Sequence, residues 1–209
     1  MSRLAVITCG PAIAPIDSVR RITNFATGEI GTILAHELAS RGWEVICFRG
    51  EGSSAAAPAG VEVQKFTTNK SLALVLRKLP RQPDAIFHAA ALCDFEVEKI
   101  EGAEGQNKLS SRCESLVITL RPAPKILPSL RELFPSAKIV GWKYELDGDR
   151  AQALVRAREQ ITQCRSDLCV LNGAAYGEGF GIVSSAESEA LHSPDKSSLA
   201  RSLTDRLFA

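Results

Sequence analysis

Two stretches of this sequence carry residues that could do chemistry. The first follows an apolar, β-branched run, Leu4 to Thr8, and holds Arg20, Asn24, Thr27, Gly28 and Gly31. A guanidinium and a carboxamide suit phosphate and carboxyl oxygens. Glycines that open a helix leave N–H groups and the positive end of the helix dipole within reach of a phosphate. Strand, polar loop and helix start together read as the anion-binding corner of an α/β nucleotide-binding unit. The corner is not the dinucleotide fingerprint, because Gly10 lies far from Gly28 and Gly31. An ordinary strand-to-helix connection with solvated charges fits the same residues. The second stretch, residues 93–113, lacks helical or strand periodicity and holds Asp94, Lys99 and Lys108. An irregular segment of that length inside a compact domain is usually functional or mobile, although a lysine in a charged loop is more commonly a solvated side chain.

The elements that must position these residues alternate. Residues 28–41 read as a helix, with Thr27 as its expected N-cap and Gly42 at its end. Strands are expected at Glu44 to Phe48, Val61 to Phe66, Ala85 to Leu92, Leu116 to Leu120, Ile139 to Tyr144 and Asp167 to Leu171. Helices are expected at Asn69 to Leu79, Ala123 to Leu133, Asp149 to Cys164 and Ser197 to Phe208, and a short β-hairpin over 180–191. The small-residue loop 50–60 is the segment most open to movement or clipping. Strands alternating with helices imply parallel units with right-handed crossovers. The expected fold is α/β and Rossmann-like: a mostly parallel twisted sheet flanked by helices, with a small β extension, in a single domain spanning 1–209. Ligands bind such sheets at the carboxyl ends of the strands, which selects Gly10 onward and Ala90 to Phe95.

Composition narrows the classes. A net charge of +1 leaves no nucleic-acid footprint, and no apolar stretch approaches a membrane span. The first strand begins almost at once, with no signal peptide pattern, so a cytoplasmic protein is expected. The six cysteines, Cys9, Cys47, Cys93, Cys113, Cys164 and Cys169, show no metal spacing. They read as small buried hydrophobes kept reduced. His36, His88 and His192 suggest no metal site either.

Taken in order, the motifs resemble the phosphopantothenoylcysteine synthetase (phosphopantothenate–cysteine ligase) family. PIDSVRRITNFATGEIG at 15–31 is similar to the family's PxDxVRxIxNxSSGxxG, and HAAALCDFEV at 88–97 to AAAVADYRP. NKLSS at 107–111 stands at the family's KxKK stretch, LVITLRPAPKIL resembles LxLxPNPDIL, and VGWKYEL and DLCVLN stand at VGFxxET and DLIVAND. The resemblance implies a ligase that joins 4′-phosphopantothenate to cysteine in coenzyme A biosynthesis, through an acyl-nucleotidylate made from a nucleoside triphosphate with Mg²⁺. It implies Lys108 and Asn24 as catalytic residues. It implies Arg20, Thr27, Gly28, Gly31, Ala90, Asp94, Trp142, Asn172 and Lys196 as substrate or nucleotide contacts, with Arg20 reaching a phosphate from a neighbouring subunit of a homodimer. KxKK has become Lys108-Leu109-Ser110-Ser111, which together with Lys143 resembles the ATP-using branch more than the CTP-using one and leaves the nucleotide, ATP or CTP, open. The decarboxylase half is absent, so no flavin is expected. Two other readings stand beside the ligase: an NAD(P)-binding reductase, for which Arg49 after the second strand would be the only ribose selector, and a non-catalytic nucleotide-binding paralogue.

Overall fold

The computed structural model describes residues 2–101, 108–109 and 115–208. Eight strands form the central sheet: β1 (Leu4–Cys9), β4 (Glu44–Gly50), β5 (Glu62–Phe66), β6 (Ala85–His88), β9 (Lys138–Tyr144), β10 (Leu168–Gly173), β11 (Gly177–Val183) and β12 (Leu191–Ser193). Their order across the sheet is β12-β11-β10-β9-β6-β1-β4-β5. Pairing is parallel from β5 through β10 and antiparallel for β11 and β12. The α/β architecture, mostly parallel with a β extension, is as expected from the sequence.

Helices cover both faces because the inner strands are apolar on both. Every residue of β1 is buried. Ala5, Ile7 and Cys9 pack against α1 (Glu29–Ser40) and α5 (Lys196–Phe208) through Leu34, Leu38, Leu199 and Leu203. Leu4 and Val6 point the other way, toward α2 (Asn69–Arg77) and α3 (Leu127–Leu133), through Leu72, Leu76 and Leu130. On β10 the helix α4 (Arg150–Cys164) covers Cys169 and Leu171 with Ala153, Ala157 and Ile161. Both α2 and α4 start at capping boxes, Thr68 with Ser71 and Asp149 with Gln152, which satisfy the first free amides of the helix. No helix among the described residues is long and apolar enough to cross a membrane.

Several sequence expectations need correction. The polar loop after β1 contains a hairpin, β2 (Ile13–Pro15) on β3 (Arg21–Thr23). The stretch taken as irregular from residue 93 contains β7 (Phe95–Ile100), which pairs with β8 (Ile118–Pro122) in a second hairpin outside the central sheet. The expected strand at Leu116 to Leu120 is thus shifted and belongs to this hairpin. Strand β6 ends at His88, not Leu92. Helix α3 starts at Leu127, later than expected, with Pro128 in its first turn, where a missing N–H costs nothing. Thr27 is not the N-cap of α1. That position is Gly28, at φ +79°, and Thr27 Oγ1 instead accepts the Glu29 N–H at 3.3 Å. The loop expected to move, 50–60, is tied down: Ser53 N–H donates to Gly50 O, Ala55 N–H to Thr27 O, and Ala59 N–H to His36 Nε2.

Candidate active site

From β1 the chain winds to β4 and β5 on one side of the sheet, then to β6, β9 and β10 on the other. The switch point therefore lies between β1 and β6, and ligands of open α/β sheets sit outside such a point at the carboxyl ends. Here the two strand ends do not diverge at once. Ala89 N–H donates to Thr8 O, Ala91 N–H to Gly10 O and Ala12 N–H to Ala91 O, so the connections run paired past the sheet edge. Beneath them, Thr8 Oγ1 and His88 Nδ1 stand 2.7 Å apart, and burial pulls the imidazole pKa down to about 4.

The β2–β3 hairpin rises from this edge, and its root and its tip carry different parts of the expected site. At the root, Asn24 Nδ2 donates to Leu92 O at 2.8 Å, so the carboxamide is held against the β6 connection that carries Ala90 and Asp94. Asp94 itself is exposed and ion-paired with Lys125. Cys93 is buried between them, its carbonyl accepting from Asn69 Nδ2 at 2.8 Å and its thiol 3.5 Å from Ala12 O. Burial pushes that thiol's pKa up, which suits a structural role.

At the tip, Asp17 organises the turn. Its Oδ1 accepts the N–H groups of Val19 and Arg20, and its Oδ2 accepts the Leu109 N–H at 3.0 Å. Arg20 Nη2 in turn donates to Leu109 O at 2.9 Å. Leu109 is 4% exposed, so this residue is clamped by its backbone and buried by its side chain. Hydrogen bonding, led by the Leu109 amide, holds the Asp17 carboxyl below the usual carboxylate range. Lys108, the residue before Leu109 in the chain, is exposed. The remaining members of the family-like stretch, Asn107, Ser110 and Ser111, lie outside the described residues, as does Cys113.

The predicted nucleotide contacts divide between the two faces: Ala90 packs against the core on the α2/α3 side, and Trp142 against the core on the α1/α5 side. Trp142 is half-buried there, packed against the same core as Phe180. Lys196 at the start of α5 ion-pairs with Glu29 in the first turn of α1, on the rim of an open cleft of about 390 Å³. Asn172 is half-buried near the end of β10, its carbonyl accepting the Glu145 N–H. A second cleft, about 230 Å³, lies on the opposite face between α2 and the two hairpins and is floored by Cys93. Two of the predicted glycines have packing reasons to be glycine. A Cβ on Gly31 would fall 2.5 Å from Cys9 Sγ, and one on Gly28 would fall 2.9 Å from Ser53 Oγ. Gly28 additionally needs its positive φ.

Sequence reasoning missed Ser53 behind that glycine turn and the anchoring role of Asp17, and it weighed Arg49 only as a ribose selector for a reductase. The side chain of Arg49 is folded behind α1, where it donates to Thr32 Oγ1 and to Ala55 O. It is not presented to a ribose as a reductase would need.

A family model described as the DNA/pantothenate metabolism flavoprotein C-terminal domain matches residues 2–209. The coenzyme A biosynthesis bifunctional protein CoaBC of Thermococcus kodakarensis is 33% identical over 173 residues, covering 80% of this chain and 40% of that protein. The chain spans about 40% of the length of the first curated relatives it matches. The DNA/pantothenate metabolism flavoprotein of Streptococcus pneumoniae superimposes with a TM-score of 0.85 at 22% identity, covering 99% of this chain and 98% of that one. A Cab2 variant in complex with phosphopantothenate-cysteine superimposes with a TM-score of 0.76 at 20% identity, covering 98% of this chain and 86% of that one. At these identities the two structures show a shared fold, and the family-model match across the chain carries the assignment: this protein belongs to the DNA/pantothenate metabolism flavoprotein C-terminal domain family.

Proposed function

We propose that the chain is a phosphopantothenate–cysteine ligase that activates its acid by nucleotidyl transfer. Membership of the family and the CoaBC names of its relatives support the substrate class. A carboxylate oxygen of 4′-phosphopantothenate attacks the α-phosphorus of ATP or CTP, and pyrophosphate leaves with Mg²⁺. The amine of cysteine then attacks the acyl carbon, releasing the nucleoside monophosphate and a proton. Negative charge gathers first at the α-phosphate and then at the acyl oxygen, so fixed cations and oriented donors in a water-poor site are what the reaction requires.

The observation that carries the reading is the clamp on Leu109. Asp17 and Arg20 hold the backbone of Leu109, the residue that follows Lys108 in the chain. In this reading Lys108 is a point charge on the acyl-phosphate and Asn24 orients the activated acid. Arg20 takes a substrate phosphate, and Ala90 and Asp94 border the base and ribose. Thr27, Gly28 and Gly31 set the triphosphate corner, with Trp142, Asn172 and Lys196 along the nucleotide. Among the described residues no group of three or more acidic, histidine or cysteine side chains could hold a metal ion, so Mg²⁺ is taken to arrive on the triphosphate. No flavin is assigned to the chain, and residues 1–209 are taken as one cytoplasmic domain.

Root and tip of the hairpin are separated by its three paired positions, about 10 Å of strand. That supports a homodimer in which the tip of one protomer completes the site of the other. Val19, Phe25, Phe95 and Val117, exposed on and beside the two hairpins, supply apolar surface for such a contact.

The test is pyrophosphate release with 4′-phosphopantothenate and cysteine, comparing ATP with CTP. Lys108→Ala should abolish product while the circular dichroism spectrum and melting temperature stay unchanged. Normal turnover by that variant would remove the lysine from the mechanism. Turnover only with another carboxylic acid would keep the chemistry and change the substrate.

A further inference from the structure

The end of β4 and the segment after it hold two polar groups that the ligase reading leaves unused. Arg49 is 6% exposed, a guanidinium taken out of water at the carboxyl end of the strand. Its acceptors, Thr32 Oγ1 at 3.3 Å and Ala55 O, are neutral. Among the described residues no carboxylate forms an ion pair with it. Ser53 Oγ is buried without a hydrogen-bond partner. The two groups converge on one backbone turn. The direction in which a Cβ would leave Gly28 points 2.9 Å from Ser53 Oγ and 3.1 Å from Arg49 Nη1. Gly28 is the N-cap of α1 and brings no capping side chain of its own, and Thr27 Oγ1 accepts one first-turn amide, that of Glu29, at 3.3 Å.

A buried cation without a carboxylate partner and a buried hydroxyl without a partner are each costly, and a bound anion answers both at a helix start whose dipole favours it. The Cys9 thiol on the neighbouring strand already responds to the charge. Its pKa is lowered first by a hydrogen bond with Cys47 and further by the guanidinium. A phosphate oxygen at the turn would accept from helix N–H groups and from the Ser53 hydroxyl, with the Arg49 charge directly beneath.

We propose that Arg49 and Ser53, with the Gly28 turn, seat a phosphate of the polyphosphate chain of the nucleotide, Arg49 as the positioning charge and Ser53 as a hydroxyl donor. The identity of the phosphate rests on the nucleotidyl-transfer reading; the anion seat stands on its own geometry.

The experiment titrates the full chain by calorimetry with AMP, ADP, ATP, their cytidine counterparts and inorganic pyrophosphate, the nucleotide series that binds being the one compared. In the wild type, affinity should rise with phosphate number. Arg49→Met should weaken the triphosphate and pyrophosphate about tenfold or more and flatten that rise, while the monophosphate changes little. Arg49→Lys should restore part of the loss, because it returns the charge without the planar fork. Ser53→Ala should weaken the triphosphate and pyrophosphate about three- to fivefold, and it decides the matter if Arg49→Met does not fold. Wild-type affinities in folded Arg49→Met, or in Ser53→Ala, would overturn the seat while leaving the ligase reading intact. Arg49-dependent pyrophosphate binding without nucleotide binding would uphold the seat and sink the nucleotide. Binding of neither by the wild type would end both.

Discussion

The clamp on Leu109 can be broken without touching a charged group. Leu109→Ala deletes three carbons from a side chain that is 4% exposed. At about 0.8 kcal/mol per buried methylene-sized group, the docked state loses about 2.4 kcal/mol, a factor of about 50 in the docking constant K. The two backbone hydrogen bonds, Leu109 N–H to Asp17 and Arg20 to Leu109 O, survive in form but are made less often. Hydrogen exchange at the Leu109 amide reads K directly, because that N–H is protected only when docked. Its protection should fall about 50-fold, while the melting temperature barely moves, since the hairpin tip contributes little to the central core. Pyrophosphate release should then follow the docked fraction, K/(1 + K), across a series of Leu109→Ala, Leu109→Val and Leu109→Met, with Leu109→Met near wild type because volume is kept. A variant whose measured K is below about 1 and which still turns over at the full rate would refute the idea that docking places Lys108 for the reaction.

Gly31→Ala should lower the melting temperature by several degrees, the cost of overpacking Cys9 exceeding the gain in helix propensity of about 1 kcal/mol; an unchanged melting temperature with lost nucleotide affinity would mean the glycine serves the ligand instead. His88, with a pKa of about 4 in the fold against 6.5 in the open chain, is protonated in the unfolded state first as pH falls. Its contribution is therefore complete above about pH 6.5 and drains away between pH 6.5 and 4, by up to about 3 kcal/mol, and His88→Leu should flatten the melting temperature against pH across that window. If the hairpin tip serves the partner's site, mixing inactive Arg20→Ala with inactive Asn24→Ala protein should restore activity toward about a quarter of wild type, because random pairing returns one intact site in half of the dimers. Failure to recover activity after confirmed subunit exchange would place both residues in one protomer's site.

The legible part of the sequence was the part buried on both faces. Strands β1, β6 and β9 are continuous apolar runs because helices cover them from both sides, and the Gly28 corner follows from the first of these. The hairpins left no such trace. All three residues of β3 are exposed, and β7 and β8 have few buried positions, so no alternation of apolar and polar residues marks them. Their register is set by non-local pairing instead. Lys108 could be chosen only through the resemblance, because its placement depends on a contact between Leu109 and an aspartate 92 residues earlier. Arg49 was visible as a charge at a strand end, but nothing local said that it would turn under α1 rather than out to solvent.

That turn inward and the docking of Leu109 answer the same physical demand from opposite ends of the site. On the proposed ligase reading, an acyl-phosphate anhydride requires several negative oxygens held close together, and in water the cations that do so would each lose freedom on binding. Here the ordering is done in advance. Arg20 already spends one donor on Leu109 O and lies against Asp17, which fixes its remaining N–H groups. Arg49 is fixed by Thr32 and Ala55 before any ligand arrives. Lys108 is exposed and joined in the chain to Leu109, whose amide donates to Asp17. In the proposed reaction charge shifts from the α-phosphate to the acyl oxygen between the two steps, which a flexible lysine side chain suits, whereas planar guanidinium groups suit phosphates that stay in place until they leave.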